Sequence, residues 1–190
     1  SFFIMYSTSG GRIILKFISN SLLNHKITSV QQFSLNIILP PEVEYIIKKL
    51  NSAEFEAYAV GGCVRDSIMG ITPSDWDVAT SARPHQVKGL FEKTADSGIK
   101  YGTVTVILFP FFCEVTTFRG ENGYRDFRHP DEIVFADSLE EDLARRDFTI
   151  NAIAWNPQTG LKDPFGGIND IKDKLIRTVG EAGKRFGEDA

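Results

Sequence analysis

Apolar residues recur at a helical interval just after Pro40-Pro41. Val43, Ile46, Ile47 and Leu50 fall at i, i+3, i+4 and i+7, one face of a helix that the prolines open. Residues 55–60 (FEAYAV) read as a strand ending at Gly61-Gly62, followed by a short helix over 63–69 that Gly70 closes. Residues 75–80 (DWDVAT) read as a further strand, and Pro84 begins a helix running to Lys93. Two β-rich runs, 103–109 (TVTVILF) and 111–119 (FFCEVTTFR), predict an antiparallel hairpin across Pro110. The polar, glycine-containing stretch 120–131 predicts a mobile loop. Ser138 with Glu141 three residues later is a capping-box signature for the helix of EEDLARRD. Residues 152–156 and 161–163 predict a second hairpin. The tail returns to helix with Ile168, Ile171, Leu175 and Ile176 facing inward. Strands interleave with helices and at least one pair is antiparallel. The expected fold class is therefore α/β of the α+β type, a mixed sheet with flanking helices.

Composition narrows the class. The 190 residues suit one domain with an attached fragment, and 42% apolar with 24% charged residues is ordinary for a globular chain. A formal net charge of −4 excludes a generically basic nucleic-acid binder. Cys63 and Cys113 match no metal spacing and are expected as free, buried thiols. No apolar run is long enough for a membrane helix, so no membrane partner is expected. No acidic residue precedes Glu42, while Arg12, Lys16 and Lys26 lie in that region. This fits a transit peptide, but the favoured reading of residues 1–35 is a non-native or poorly ordered extension. The expected location is accordingly cytoplasmic, with an organelle as the alternative. The chain starts at Ser1 and stops at Glu188-Asp189-Ala190 without an end signal, so it is read as a fragment. Nothing in it speaks to oligomeric state.

Candidate chemistry is concentrated in residues 61–77. Asp75 and Asp77 flank Trp76, and on a strand both carboxylates face one way while Trp76 and Val78 face a core. Two hard anionic groups on one face suit Mg²⁺. Taken alone, Asp-x-Asp is more often a solvated strand end, but its place downstream of a glycine pair strengthens the metal reading. Gly61-Gly62 closes a strand and opens a helix, where free N–H groups favour phosphate, and Arg65 lies in the first turn. Asp66 is expected to pair with a neighbouring base or to cap structure rather than to bind metal. The GxGxxG and GxxxxGK[ST] signatures are absent, which argues against a nicotinamide enzyme or a P-loop ATPase. Glu114 lies within an apolar strand, where an unpaired carboxylate is costly. It is either a third carboxylate of the site, as ligand or general base, or a partner of Arg119 or Lys100. Arg145 and Arg146 end a helix pointing in different directions, so at most one should serve the site. His25, His85 and His129 share no spacing and are read as structural.

Six segments in order, GGCVRD, SDWDVATSA, GIKYGTVTV, EVTTFR, SLEEDLARRDFTINA and DPFGGINDIKDKLIRTVG, closely resemble the class II CCA-adding tRNA nucleotidyltransferase and bacterial poly(A) polymerase family. The resemblance covers about residues 38–190, and YRDFRHPDEIVFADSLEEDL looks more like the CCA-adding branch. It implies a head of the DNA polymerase β nucleotidyltransferase type over residues 36–180 and the start of a helical neck over 181–190. It implies that Gly61, Gly62, Arg65, Arg146, Asp147 and Asn151 bind the incoming nucleotide and that Asp75 and Asp77 bind catalytic Mg²⁺. Glu188 and Asp189 match the start of the family's base-reading EDxxR motif, which this chain leaves before its arginine. The implied partners are CTP, ATP and a tRNA 3′ end, gripped mainly by a C-terminal region beyond this chain. The alternatives are a poly(A) polymerase of the same family and a nucleotide-binding fragment without activity.

Overall fold

The computed structural model describes residues 3–9, 12–18, 33–35, 37–120 and 133–181. It divides into two compact units, Ser1–Ile38 and Leu39–Ala190. In the first unit β1 (Phe3–Ser9), β2 (Arg12–Ile18) and β3 (Phe33–Leu35) form an antiparallel sheet in that order. No element is expected there from the sequence pattern. The expected loop at 120–131 lies outside the described residues apart from Gly120.

The second unit is built on a seven-stranded mixed sheet. Its elements are α1 (Pro41–Ser52), β4 (Ala57–Val60), α2 (Gly62–Ile68), β5 (Asp77–Thr80), α3 (Pro84–Leu90), β6 (Thr94–Gly98), β7 (Thr103–Leu108), β8 (Phe111–Thr117), α4 (Leu139–Ala144), β9 (Ala154–Asn156), β10 (Gly160–Lys162) and α5 (Gly167–Asp173). The strand order is β10-β9-β4-β5-β8-β7-β6. β5 and β8 run parallel, and the other neighbours are antiparallel. The two predicted hairpins are present, the first turning through a cis Phe109-Pro110 bond. No helix among the described residues is long and apolar enough to cross a membrane.

Strand alternation assigns the two faces of the sheet. Ala59, Val78, Val115 and Val104 lie side by side across four strands and are all fully buried. α1 and α3 pack against these strands, and the predicted α1 face of Val43, Ile46, Ile47 and Leu50 is wholly inaccessible to solvent. On the opposite face Tyr58, Val60 and Ala79 join Phe118, Leu139 and Leu143 in a second cluster. That cover stops short of one rung, where Asp77 pairs with Glu114 and Glu114 with Thr105. The uncovered rung is where the candidate chemistry lies.

Three predicted boundaries shift, and one unpredicted strand appears. β5 begins at Asp77, so Asp75 precedes the strand. α3 ends at Leu90, and the following residues enter β6, an edge strand with a register shift between Ala95 and Gly98. β6 (TADSG) has neither the apolar alternation nor the β-branched content that announces a strand. α5 ends at Asp173 because Lys174 adopts a left-handed conformation with φ of 55°. The chain then turns outward, leaving Leu175 49% and Ile176 70% exposed, so the predicted inner face reduces to buried Ile168 with half-buried Ile171.

Candidate functional site

Asp75, Asp77 and Glu114 line one cavity of about 360 Å³, with Thr105 and Phe112 beside them and Trp76 and Cys113 beneath. Asp75 is held by Ser74 Oγ, which donates to its Oδ2 over 2.9 Å. The predicted alternation holds: Asp75 and Asp77 are exposed while Trp76 and Val78 are buried. Glu114 also escapes the core, because Cys113 and Val115 take the buried positions on either side of it. The expected cost of burying its charge therefore does not arise, and the register brings Glu114 to Asp77 as a third carboxylate.

Asp77 is accessible, yet its carboxylate sits against the cavity floor. Partial loss of water there is the largest influence raising its pKa above the ordinary 3.8, followed by the negative charge of Glu114. Arg146 opposes these effects, and Asp75 adds to them. Among the described residues no group of three His, Cys, Asp or Glu side chains could hold an ion. The donor set still fits a hard cation that takes two carboxylates and completes its shell with water and substrate oxygens.

Basic groups gather on the β4 side of β5, just outside the cavity lining, and Arg146 among them acts on Asp77. Gly61 ends β4 with φ of 77° and ψ of −134°, a conformation that glycine adopts freely. Its N–H donates to the Ile153 carbonyl over 3.2 Å, tying the turn to the segment before β9. Arg65, one turn into α2, donates from Nε to Asp66 Oδ1 and from Nη1 to Asn151 Oδ1, both over 2.8 Å. Asp66 thus pairs with a neighbouring base, as expected. Asn151 Nδ2 in turn donates to Asp147 Oδ1 over 3.4 Å. A Cβ on Gly61 would stand 3.0 Å from Arg146 Nη1, so Arg65 and Arg146 both border the glycine turn.

Arg145 and Arg146 do not diverge as expected. Both reach Asp142, with Arg145 Nε 3.5 Å from Oδ1 and Arg146 Nη2 3.1 Å from Oδ2. Asp142 is 1% exposed and also accepts the Arg119 backbone N–H over 3.0 Å. Burial lowers the pKa of Arg119 and of Arg145, with each arginine's other cationic neighbours adding to the effect. Asp142 was not among the residues singled out from sequence, although Asp-x-x-Arg-Arg places it one helical turn before both bases. Thr105 and Phe112 were also missed. Phe112 lies two residues before Glu114 on β8, so alternation alone put it on the same face.

Cys63 and Cys113 are free and buried, as expected. Burial pushes the Cys63 thiol up to about 11 and the Cys113 thiol higher still. His85 is exposed on α3, while His25 and His129 lie outside the described residues, as do Glu188 and Asp189.

Residues 57–177 match the model of the poly(A) polymerase head domain. A CCA-adding enzyme of Listeria monocytogenes is 56% identical over 145 residues, which cover 76% of this chain and 37% of that protein. A CCA-adding enzyme of Limosilactobacillus fermentum is 49% identical over 155 residues, covering 80% of this chain and 39% of that protein. Among solved structures, the Bacillus stearothermophilus CCA-adding enzyme in complex with CTP is similar with a TM-score of 0.72 and 46% identity, over 80% of this chain and 37% of that one. The Thermotoga maritima CCA-adding enzyme complexed with tRNA is similar with a TM-score of 0.57 and 27% identity, over 74% of this chain and 33% of that one. The chain thus spans well under half the length of these relatives.

Proposed function

Because the chain belongs to the poly(A) polymerase head-domain family, we propose that the full-length protein adds CMP and AMP, from CTP and ATP, to the 3′ end of tRNA without a template, releasing pyrophosphate. The observation that carries this reading is the pairing of a carboxylate cavity on β5 and β8 with an arginine-bordered glycine turn on the β4 side of β5. Its likeness to CCA-adding enzymes, one of them in complex with CTP, supports the choice of substrates. CCA-adding nucleotidyltransferases are generally metal-dependent, and Asp75 and Asp77 are the residues that would hold Mg²⁺ here. Bound there, Mg²⁺ supplies the Lewis acidity that eases ionisation of the acceptor 3′-hydroxyl and neutralises the departing pyrophosphate.

The remaining work falls to side chains. The glycine turn leaves room for a phosphate at the backbone, and Arg65 and Arg146 neutralise triphosphate charge from either side of it. Asn151 and Asp147 hold Arg65 on that flank and offer polar groups to the ribose. Glu114, level with Asp77, is placed to take the acceptor hydroxyl proton as general base. Base selection is assigned to Asp189 together with the chain beyond it, and the tRNA grip to the C-terminal region. The cytoplasm is the proposed location.

Supplying CTP and ATP separately to the full-length protein on tRNA lacking CCA tests the reading. The expected result is addition of two C residues from CTP alone and a single A once CC is present. Indifference to CTP with unlimited A addition would assign a poly(A) polymerase, and nucleotide binding without incorporation would assign a non-catalytic module.

A further inference from the structure

We infer that Phe112 is a stacking platform for the nucleobase of the RNA acceptor's 3′-terminal nucleotide, with Thr105 beside it to receive the sugar. This rests on the nucleotidyl-transfer reading above. The cavity is asymmetric about β5. The groups suited to triphosphate, namely the glycine turn, Arg65 and Arg146, lie outside its lining on the β4 side of β5, where Arg146 acts on Asp77. The opposite flank is formed by β8 and β7, which contribute Glu114, Phe112 and Thr105. No basic side chain among the described residues lines the cavity itself, and on the β8 side Glu114 is offset only by the half-buried Arg119. That side therefore suits an uncharged nucleoside better than a polyphosphate.

The geometry defines that nucleoside further. Asp77, Glu114 and Thr105 form one rung across β5, β8 and β7, and Phe112 lies on the same face one alternate position from Glu114. Phe112 is 57% exposed, an apolar residue left open to water directly beside carboxylates. A nucleobase laid on it would cover that surface by stacking, which is sequence-tolerant because every base presents a π-face. Tolerance matters here, since an acceptor extended stepwise presents a different terminal base at successive additions. Thr105 Oγ1 donates to Ser97 Oγ over 2.6 Å, which leaves its lone pairs to accept from a ribose hydroxyl. A nucleotide so placed has its 3′-hydroxyl at the carboxylates, opposite the triphosphate flank.

The test uses full-length enzyme with Phe112→Ala and Phe112→Trp, and tRNA acceptors ending either in a normal 3′ nucleotide or in an abasic one. Steady-state incorporation is measured while acceptor and nucleotide are varied separately, and acceptor binding is read independently by fluorescence anisotropy. Phe112→Ala should raise the acceptor KM and Kd by roughly five- to a hundredfold, the range that aromatic–base stacking spans. It should leave the nucleotide KM unchanged, and Phe112→Trp should retain near-normal values. The abasic acceptor should weaken the unaltered enzyme by a similar factor and Phe112→Ala little further. A rise in nucleotide KM instead, a Trp variant as impaired as Ala, or an abasic end that costs the unaltered enzyme nothing would each overturn the assignment alone. Absence of incorporation by the unaltered enzyme would overturn the functional reading, and this assignment with it.

Discussion

Replacing Gly61 by alanine perturbs the fold and the site through one added methyl group. The residue sits at φ 77° and ψ −134°, where an L side chain is strained whatever space surrounds it. That strain costs about 1–3 kcal/mol. For a unit of this size each kcal/mol moves the melting temperature by about 2–4 °C, giving an expected fall of about 2–12 °C. The new Cβ would also stand 3.0 Å from Arg146 Nη1, so the guanidinium must retreat from the glycine turn and nucleotide affinity should fall. Gly62 is the internal control. It has no positive φ, and a Cβ there meets only Arg65 Nη2 at 3.7 Å, an ordinary contact. Gly62→Ala should stay within about 1 kcal/mol of the unaltered protein. Thermal unfolding by circular dichroism and calorimetric titration with CTP check both variants. Equal stability of the two would refute the reasoning from backbone conformation, and an unchanged CTP affinity in Gly61→Ala would refute the role given to Arg146.

Asp142→Ala should be among the most damaging single changes. It strips a buried carboxylate from Arg145, Arg146 and the Arg119 N–H, at about 3–5 kcal/mol. Differential scanning calorimetry should show it melting far below the unaltered protein. Asp77→Asn should act in the opposite direction in metal-free protein. The folded-state pKa of Asp77 is raised, so its contribution to stability is greatest below the ordinary 3.8 and is lost as pH rises through the folded value. The variant, unable to ionise, should therefore be more stable at neutral pH in EDTA, with the advantage vanishing below about pH 4. Urea titrations at both pH values measure it, and a constant difference would refute the electrostatic cause. The thiols of Cys63 and Cys113, both buried with raised pKa values, should react with iodoacetamide only on unfolding, as mass spectrometry of the labelled protein will show.

What the sequence made legible follows from the range of the forces involved. The α1 face and both hairpins were readable because helical spacing and strand alternation are local signals that the core repeats. β6 was not, since TADSG is held by an edge pairing with β7 rather than by any preference of its own. The exposed end of α5 was missed because Leu175 and Ile176 continue an apolar period after the left-handed Lys174 has already turned the chain. In the site, the same-face arrangement of Asp75 and Asp77 was read from spacing alone. The position of Glu114 beside Asp77 depended on a parallel β5–β8 register that no local pattern states. Arg145 and Arg146 were expected to diverge, and a buried acid one turn earlier draws both inward. Local grammar located the candidate groups, and the sheet register brought them together.

The proposed nucleotidyl transfer to RNA depends on the carboxylates of the β5–β8 cavity. The most direct measurement is incorporation of labelled CMP and AMP into tRNA lacking CCA by full-length enzyme carrying Asp75→Ala or Asp77→Ala, each variant matched for folding by circular dichroism. Both variants should fold and incorporate nothing above background, while retained incorporation by either folded variant would rule out this transfer chemistry.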